Sequence, residues 1–350
     1  MNTFSVCIPN FNYASYIGET IGSVLDQADD RVEVLVSDNA STDDSVAVVE
    51  AFADPRVHVR VNPVNVGFAG NLDRAAGPAR GDVMILLSSD DVMLPGALER
   101  YRTLFDRAGT DRLVVSATMQ VIDGEGRPTG TRGPEPALWE GARHATELEA
   151  AIDATVLELD PPELLRRSVS QLLNPFNFAA TAYPRAIYEE VAGYGAGRLY
   201  NPDKWFHWRL VERAERVLWV DTPLFGYRWH DSNQAALESA AGVFRFLVDD
   251  YVNTFDVPTD LLASIGLTRD DLVAAFIERD IANHGLATLA RGHVARARRT
   301  AHFGLAAYPD AFRHNPRAQA LRALAVLGPV GARLAKLAYR RYGPGPLDAA

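Results

Sequence analysis

The sequence predicts an α/β fold, a mainly parallel mixed sheet flanked by helices, with an α-helical C-terminal extension. Three observations carry that expectation. Up to about residue 120, short β-branched runs alternate with stretches of helical spacing, as they do in sheets covered by helices on both faces. From Ala235 onward no convincing strand appears, and Ala and Arg dominate. With 47% hydrophobic and 23% charged residues in 350, the chain has the composition of a globular protein with a sizeable core.

Taken in order, FSVCI (4–8), EVLVS (33–37), VHVRV (57–61), VMILLS (83–88) and LVVSAT (113–118) read as buried strands. The segments 13–27, 42–53, 67–79 and 95–108 between them have helical periodicity. Thr42 is expected as an N-cap, with Asp43 and Asp44 in the first turn where the helix dipole favours them. Pro95 is expected at a first helical position. GEGRPTGTRGPEP (124–136) reads as a mobile surface loop. Helical patterns follow, interrupted by FAATAY (178–183) and the Gly-rich GYGAG (193–197). A helix near Asp203–Glu212 and strands at 217–221 and 225–229 complete a first domain over 1–234, leaving a helical region over 235–350.

Cys7, the one cysteine, excludes a disulfide framework and reads as a small buried hydrophobe. The N-terminal residues lack the basic-then-apolar pattern of a secretory leader, and no apolar run approaches the ~20 residues of a membrane span. A cytoplasmic protein is expected. The net charge of −10 is unevenly spread: residues 291–341 hold eleven Arg or Lys against the single acid Asp310. Within 317–341, Arg322, Arg333, Lys336 and Arg340 fall near one helical face, and Pro329 should kink or divide the helix. Such an arm can lie on an anionic membrane surface or pack as a hairpin on the acidic body. Nucleic acid is not expected as a partner, because the body would repel phosphates.

In open α/β sheets, ligands bind beyond the carboxyl ends of the strands. There the sequence places Pro9-Asn10-Phe11-Asn12, Asp38-Asn39 and Ser88-Ser89-Asp90-Asp91, with Asn65-Val66-Gly67-Phe68 ahead of the third helix. An Asp-Asp pair after a strand is more often turn or cap chemistry than a metal site. Acidic residues at several strand ends tilt the reading towards a Mg²⁺ or Mn²⁺ site shared with a diphosphate.

In order and spacing, SVCIPNFNYASYIGETIGSVLDQ, EVLVSDNASTDDS, NVGFAGNLDRAAGPARGD and ILLSSDDVMLPGAL resemble the N-terminal half of family 2 glycosyltransferases with the Rossmann-like GT-A fold, the likeness running over about residues 4–230. The resemblance implies that the domain divides into a nucleotide-sugar half (about 1–120) and an acceptor half (about 121–234). It further implies that Pro9, Asn10, Phe11, Asn12, Asp38, Asn65, Gly67, Asn71, Ser88, Ser89 and Asp90 surround the donor. The family's Asp-x-Asp metal triplet falls on Ser88-Ser89-Asp90, so serine replaces its first acid. Asp90 is then the metal ligand, with Asp91 and His230 as further candidates. Gly70 stands where some relatives carry an Arg. In NPDKWFHWRL, Asp203 takes the place of the family's catalytic base and Pro202 that of the Glu before it. YRWHDSN (227–233) resembles a late Tyr-Arg-x-His element whose Arg228 would face the leaving diphosphate. Trp205, Trp208 and Trp229 are candidates for an acceptor platform, with core packing as the rival reading.

The resulting expectation is an inverting, metal-dependent glycosyltransferase. It would use a nucleotide-diphosphate sugar, UDP favoured, and a hydroxyl acceptor on a glycan, a lipid-linked sugar or a small molecule. A non-catalytic sugar-nucleotide binder is the alternative. A sugar nucleotidyltransferase fits less well, because PNFNYASY stands where a Gly-rich basic loop would be needed.

Overall fold

The first apolar run forms β1 (Phe4–Asn10), which pairs in parallel with β2 (Val32–Asp38) on one side and β4 (Val83–Leu86) on the other. The computed structural model describes residues 2–195, 199, 202–230 and 244–342. The chain divides into two units, one of Met1–Ser168 with Leu173–Phe246 and one of Val169–Leu172 with Leu247–Ala350. The boundary expected at 234 lies outside the described residues.

In the first unit β3 (Val57–Val61) extends β2 in parallel at the sheet edge. Helices α1 (Ala14–Leu25), α2 (Ser45–Glu50) and α3 (Gly67–Ala76) connect these four strands. α1 buries Ile17, Thr20, Ile21 and Val24, the three- and four-residue spacing that turns one helical face to a core. After β4 come β5 (Val92–Met93), α4 (Ala97–Arg107), β6 (Leu113–Ile122), β7 (Pro128–Arg132), α5 (Pro136–Trp139), β8 (Arg143–His144), α6 (Thr146–Ile152), β9 (Val156–Leu159) and α7 (Pro161–Ser170). Then β10 (Ala182–Pro184), α8 (Arg185–Glu190), α9 (Asp203–Arg213) and β11 (Arg216–Arg228) follow. The sheet order is β3-β2-β1-β4-β10-β6-β11-β9-β8, with β5 on β11 and β7 on β6.

β10 is antiparallel to both neighbours, β4 and β6, while β6 and β11 pair in parallel. The carboxyl ends of β1, β2, β4, β6 and β11 therefore open on one edge of the sheet. The chain entering β10 arrives at that same edge.

Several expectations need correction. α2 starts at Ser45, with Asp44 rather than Thr42 as the residue before its first turn; Asp43 accepts from the Ser45 N–H (3.1 Å) and Oγ (2.6 Å). Pro95 precedes α4 rather than opening it; Gly96, at φ 80°, is the residue before the first turn. The stretch expected as a mobile loop at 124–136 is largely the β6–β7 hairpin. Its turn is fixed by Asp123 Oδ1, which accepts the Glu125 and Arg127 N–H groups at 2.9 Å each. Strand β9 falls where helical spacing was expected, since Glu158 breaks its apolar look. That carboxylate is buried and paired with Arg216 through two 2.8 Å bonds. Residues 178–180 form a single 3₁₀ turn ahead of β10, and the two strands expected at 217–229 are one strand bent by an irregularity between Val220 and Phe225.

The second unit is helical over its described residues: α10 (Phe244–Asp256), α11 (Thr259–Ser264), α12 (Arg269–Phe276), a π-helical turn (Ile277–Asn283), α13 (His284–Ala290), α14 (Val294–Ala307), α15 (Pro309–His314), α16 (Pro316–Val326) and α17 (Pro329–Tyr342). Pro329 divides the basic arm as expected, opening α17 after Gly328 at φ 60°. No helix among the described residues is long and apolar enough to cross a membrane.

Two glycines test this packing. A Cβ on Gly81 would meet the Ser5 backbone N at 2.6 Å, whereas one on Gly22 in α1 would meet nothing within 4 Å. Gly81→Ala should lower the free energy of unfolding by about 1–3 kcal/mol through overpacking. Gly22→Ala should raise it by about 0.5–1 kcal/mol through the lost freedom of the unfolded chain. Urea denaturation of the two variants measures both.

Candidate active site

The residues singled out from the sequence gather along the carboxyl edge in three groups. The first joins the ends of β1 and β2. Asn10 and Asp38 are register partners, both buried. The Asp38 carboxylate accepts from Asn10 Nδ2 (2.8 Å), the Ser41 N–H (2.9 Å) and Ser41 Oγ (2.6 Å). Among the described residues, Asn10 Oδ1 is buried with no hydrogen-bond partner, an arrangement proteins rarely keep without a reason. Phe11, beside it, is 41% exposed and presents its ring to the surface. Asn12, at φ 58°, accepts the Thr42 N–H at 2.8 Å and so clips the two loops together. Asn65 accepts from Asn39 Nδ2 and the Gly67 N–H, shaping the entry to α3. Pro9 is an interior rung of β1, opposite Ser37. Asn71 is turned wholly inward. Its oxygen accepts from Ser37 Oγ and Asn62 Nδ2, and its nitrogen donates to the Asn10 and Ser37 carbonyls. It braces the strand ends from below.

The second group follows β4. Asp91 is buried, accepts the Arg228 N–H at 2.9 Å and is hydrogen-bonded by the Ser88 hydroxyl. Burial, then the neighbouring Asp90 charge, pushes its carboxyl well above the usual range. Asp90 faces the other way, with its Oδ2 3.2 Å from His230 Nε2. The His230 ring lies on Tyr16 (4.6 Å between centroids) and against Tyr13 (5.8 Å). Arg228 is fully buried. Its Nε donates to the Asp90 carbonyl at 2.8 Å, its terminal Nη to Glu19 at 2.6 Å, and its plane lies over Tyr16. Thr20 Oγ1 lies 3.0 Å from the Ser89 carbonyl and 2.8 Å from that of Asp91, so α1 tethers the acidic turn.

The third group was only partly legible. Asp203 opens α9, and its carboxylate accepts from Asn174 Nδ2 at 2.9 Å. The other end of that amide, Oδ1, meets His207 Nδ1 at 2.7 Å. Burial drives the His207 pKa down from 6.5 to about 3, so the ring is neutral near pH 7 and its Nδ1–H is the donor. Burial also raises Asp203 above the usual carboxylate range, against the opposing pull of Lys204 and the Asn174 bond. Asn174 lies in the segment that enters β10 at the carboxyl edge. In the same segment the Phe178 ring stands 6.1 Å from Phe68, in the first turn of α3, and 6.3 Å from His207. Of the tryptophans, Trp208 is wholly buried with its Nε1 on the Leu173 carbonyl (2.9 Å), Trp205 is buried, and Trp229 is half exposed.

The edge thus combines an exposed ring next in sequence to a buried orphaned acceptor, an acidic turn beside an imidazole, and a separate half-buried carboxylate with a raised pKa. A model of "Glycosyl transferase family 2" matches residues 5–157. An uncharacterised glycosyltransferase of Nostoc sp. is 31% identical over 288 residues, which cover 76% of this chain and 79% of that protein. The chain belongs to glycosyltransferase family 2. Shorter matches include the succinoglycan biosynthesis protein ExoO of Rhizobium meliloti, 36% identical over 33% of each chain. Another is a UDP-Glc:α-D-GlcNAc-diphosphoundecaprenol β-1,3-glucosyltransferase of Escherichia coli, WfgD, 34% identical over 27% of this chain and 38% of its own. In fold, the glycosyltransferase is similar to residues 1–349 of S. aureus TarS, crystallised with UDP-GlcNAc, at a TM-score of 0.63 and 19% identity over 97% of this chain and 92% of that one.

In this family member Asp90 and His230 form a carboxylate–imidazole pair, and no group of three or more potential metal-ligating side chains occurs among the described residues. Such a pair suits a cation that takes its other ligands from a diphosphate and water. Asp91, a metal candidate by sequence, instead holds the Arg228 N–H. Sequence reading missed Glu19, Thr20, Asn174 and His207. Only His207 carried a signal, its i, i+4 spacing from Asp203 on a helix.

His207 gives this site a pH signature. An imidazole titrating near 6.5 unfolded and about 3 folded leaves the native state binding fewer protons, so stability falls as pH drops from 6.5 towards 3. His207→Phe should flatten that part of the curve of unfolding free energy against pH, measured by denaturant titration at several pH values.

Proposed function

We propose that this glycosyltransferase moves a sugar from a nucleotide-diphosphate donor, a UDP-sugar, to an acceptor hydroxyl with inversion at the anomeric carbon, Asp203 acting as general base. The observation that carries the reading is the Asp203 carboxylate. It is half-buried, raised in pKa, held by Asn174, which His207 orients in turn, and set on the edge that also presents Asn10, Phe11 and Asp38. A base works best when its pKa approaches the working pH and its lone pair is aimed.

The acceptor oxygen attacks the anomeric carbon as its proton passes to Asp203, and the carbon–oxygen bond to the diphosphate breaks on the opposite face. The nucleotide diphosphate leaves with the electron pair. Phe11 offers an exposed face on which the base can stack. Arg228 anchors the turn that presents Asp90. Asp90 and His230 are the residues that would hold Mg²⁺ or Mn²⁺. When bound, such an ion neutralises charge on the departing diphosphate. The UDP-GlcNAc complex of TarS and the UDP-Glc in the name of WfgD support a UDP-sugar donor. The names of WfgD and ExoO favour a glycan or lipid-linked acceptor.

Asp203→Asn should abolish sugar transfer while leaving UDP affinity within about twofold, since only the proton acceptor is removed. Undiminished transfer, followed as released UDP, would exclude the base role, and donor binding with no release by the wild type across an acceptor library would favour a binder. Because Asp203 must be ionised and its pKa is raised, the acid limb of kcat/KM should lie above the ordinary Asp value of about 4. Asn174→Ala should move that limb.

Asp90→Ala and His230→Ala should each weaken Mn²⁺-dependent UDP binding by roughly 10–100-fold. Calorimetry with and without EDTA reads this directly.

A further inference from the structure

Helix α17 has three faces. Ala332 and Ala335 are buried, and Gly331 packs so closely on the Leu324 carbonyl of α16 that no side chain fits there. Small residues thus let α17 lie tight against the rest of its unit. The opposite face carries Val330 (59% exposed), Leu334 (47%) and Leu337 (64%), spaced by four and three residues. Val326 (70%) and Leu327 (53%) extend this apolar surface around the α16–α17 corner. Solvent-exposed leucine and valine in a contiguous row mark an interaction surface more often than chance. Arg333, Lys336 and Arg340, all exposed, run beside the stripe at the same three- and four-residue steps. No Asp or Glu occurs anywhere in 311–347.

We propose that α17 and the α16–α17 corner form a peripheral docking surface for an anionic lipid bilayer. Val326, Leu327, Val330, Leu334 and Leu337 enter the headgroup–acyl boundary, and Arg333, Lys336 and Arg340 contact lipid phosphates. Charge selects this occupant. A soluble apolar partner needs no cations along one flank, and a second copy of this chain would set the two basic rows against each other. An interfacial helix needs an apolar stripe bordered by Lys and Arg, a large difference between faces and too little hydrophobicity to span. α17 meets each condition with its 14 residues. The inference is independent of which residue is the catalytic base.

The test is flotation of the full chain with phosphatidylcholine vesicles and with the same vesicles containing phosphatidylglycerol. The chain should float with the anionic vesicles only, and less so in high salt. Each cation near an anionic leaflet contributes about fivefold to partition, so Arg333→Gln/Lys336→Gln/Arg340→Gln should weaken it on the order of 100-fold. Leu334→Gln/Leu337→Gln should abolish it. These side chains are exposed, so thermal unfolding midpoints should stay within a few degrees; if the double variant unfolds, Leu337→Ser alone serves. Equal flotation of wild type and both variants would overturn the proposal, as would no flotation at all. So would a wild-type dimer by light scattering that the leucine changes dissociate without any vesicle binding, since the stripe would then join two copies.

Discussion

A buried guanidinium at the end of β11 organises the carboxyl edge of the sheet. Arg228 holds the Asp90 carbonyl through Nε, the Asp91 carboxylate through its own backbone N–H, and Glu19 through Nη. A charge removed from water must be paired and hydrogen-bonded or it destabilises the fold. Its partners tie β11 to two other elements, the turn after β4 through Asp90 and Asp91 and α1 through Glu19. Two adjacent acids at the mouth of a buried strand are tolerable because they do not point alike. One turns in to serve the arginine's backbone, and the other is left beside His230.

How much of this was legible follows from where each signal resides. The β1–α1–β2–α2–β3–α3–β4 succession was visible because apolar strands and amphipathic helices imprint their own periods. Asp38, Asp90 and the surroundings of Asp203 were singled out through an ordered set of motifs resembling a family, and composition alone would have left the acids as helix caps. The inward roles of Asn71 and Asp91 were not visible. An Asn or Asp at a strand end looks the same in sequence whether it faces ligand or braces backbone. Glu158 hid a strand because its partner Arg216 lies 58 residues away. The start of α2 moved by two residues, from a cap at Thr42 to one at Asp44, where the Asp43 side chain reaches the Ser45 N–H, a choice that local propensity does not decide.

The Asp203–Asn174–His207 chain shows how an ordinary amide can prepare a carboxylate. Asn174 cannot ionise, so it orients Asp203 without adding a charge that would pull the pKa down strongly. His207, kept neutral by burial, fixes which way the amide points. The aromatic rings of Phe176, Phe178 and Phe206 around His207 keep water away from that junction.

The β1–β2 register runs unbroken from Phe4 opposite Val32 to Asn10 opposite Asp38. Slipping it by one residue would invert every side chain on the displaced strand and bury the wrong set. Insertions or deletions in the surrounding loops leave that rung where it is. A change at this rung is therefore an exchange of side chains at a fixed ladder position, discrete, residue by residue.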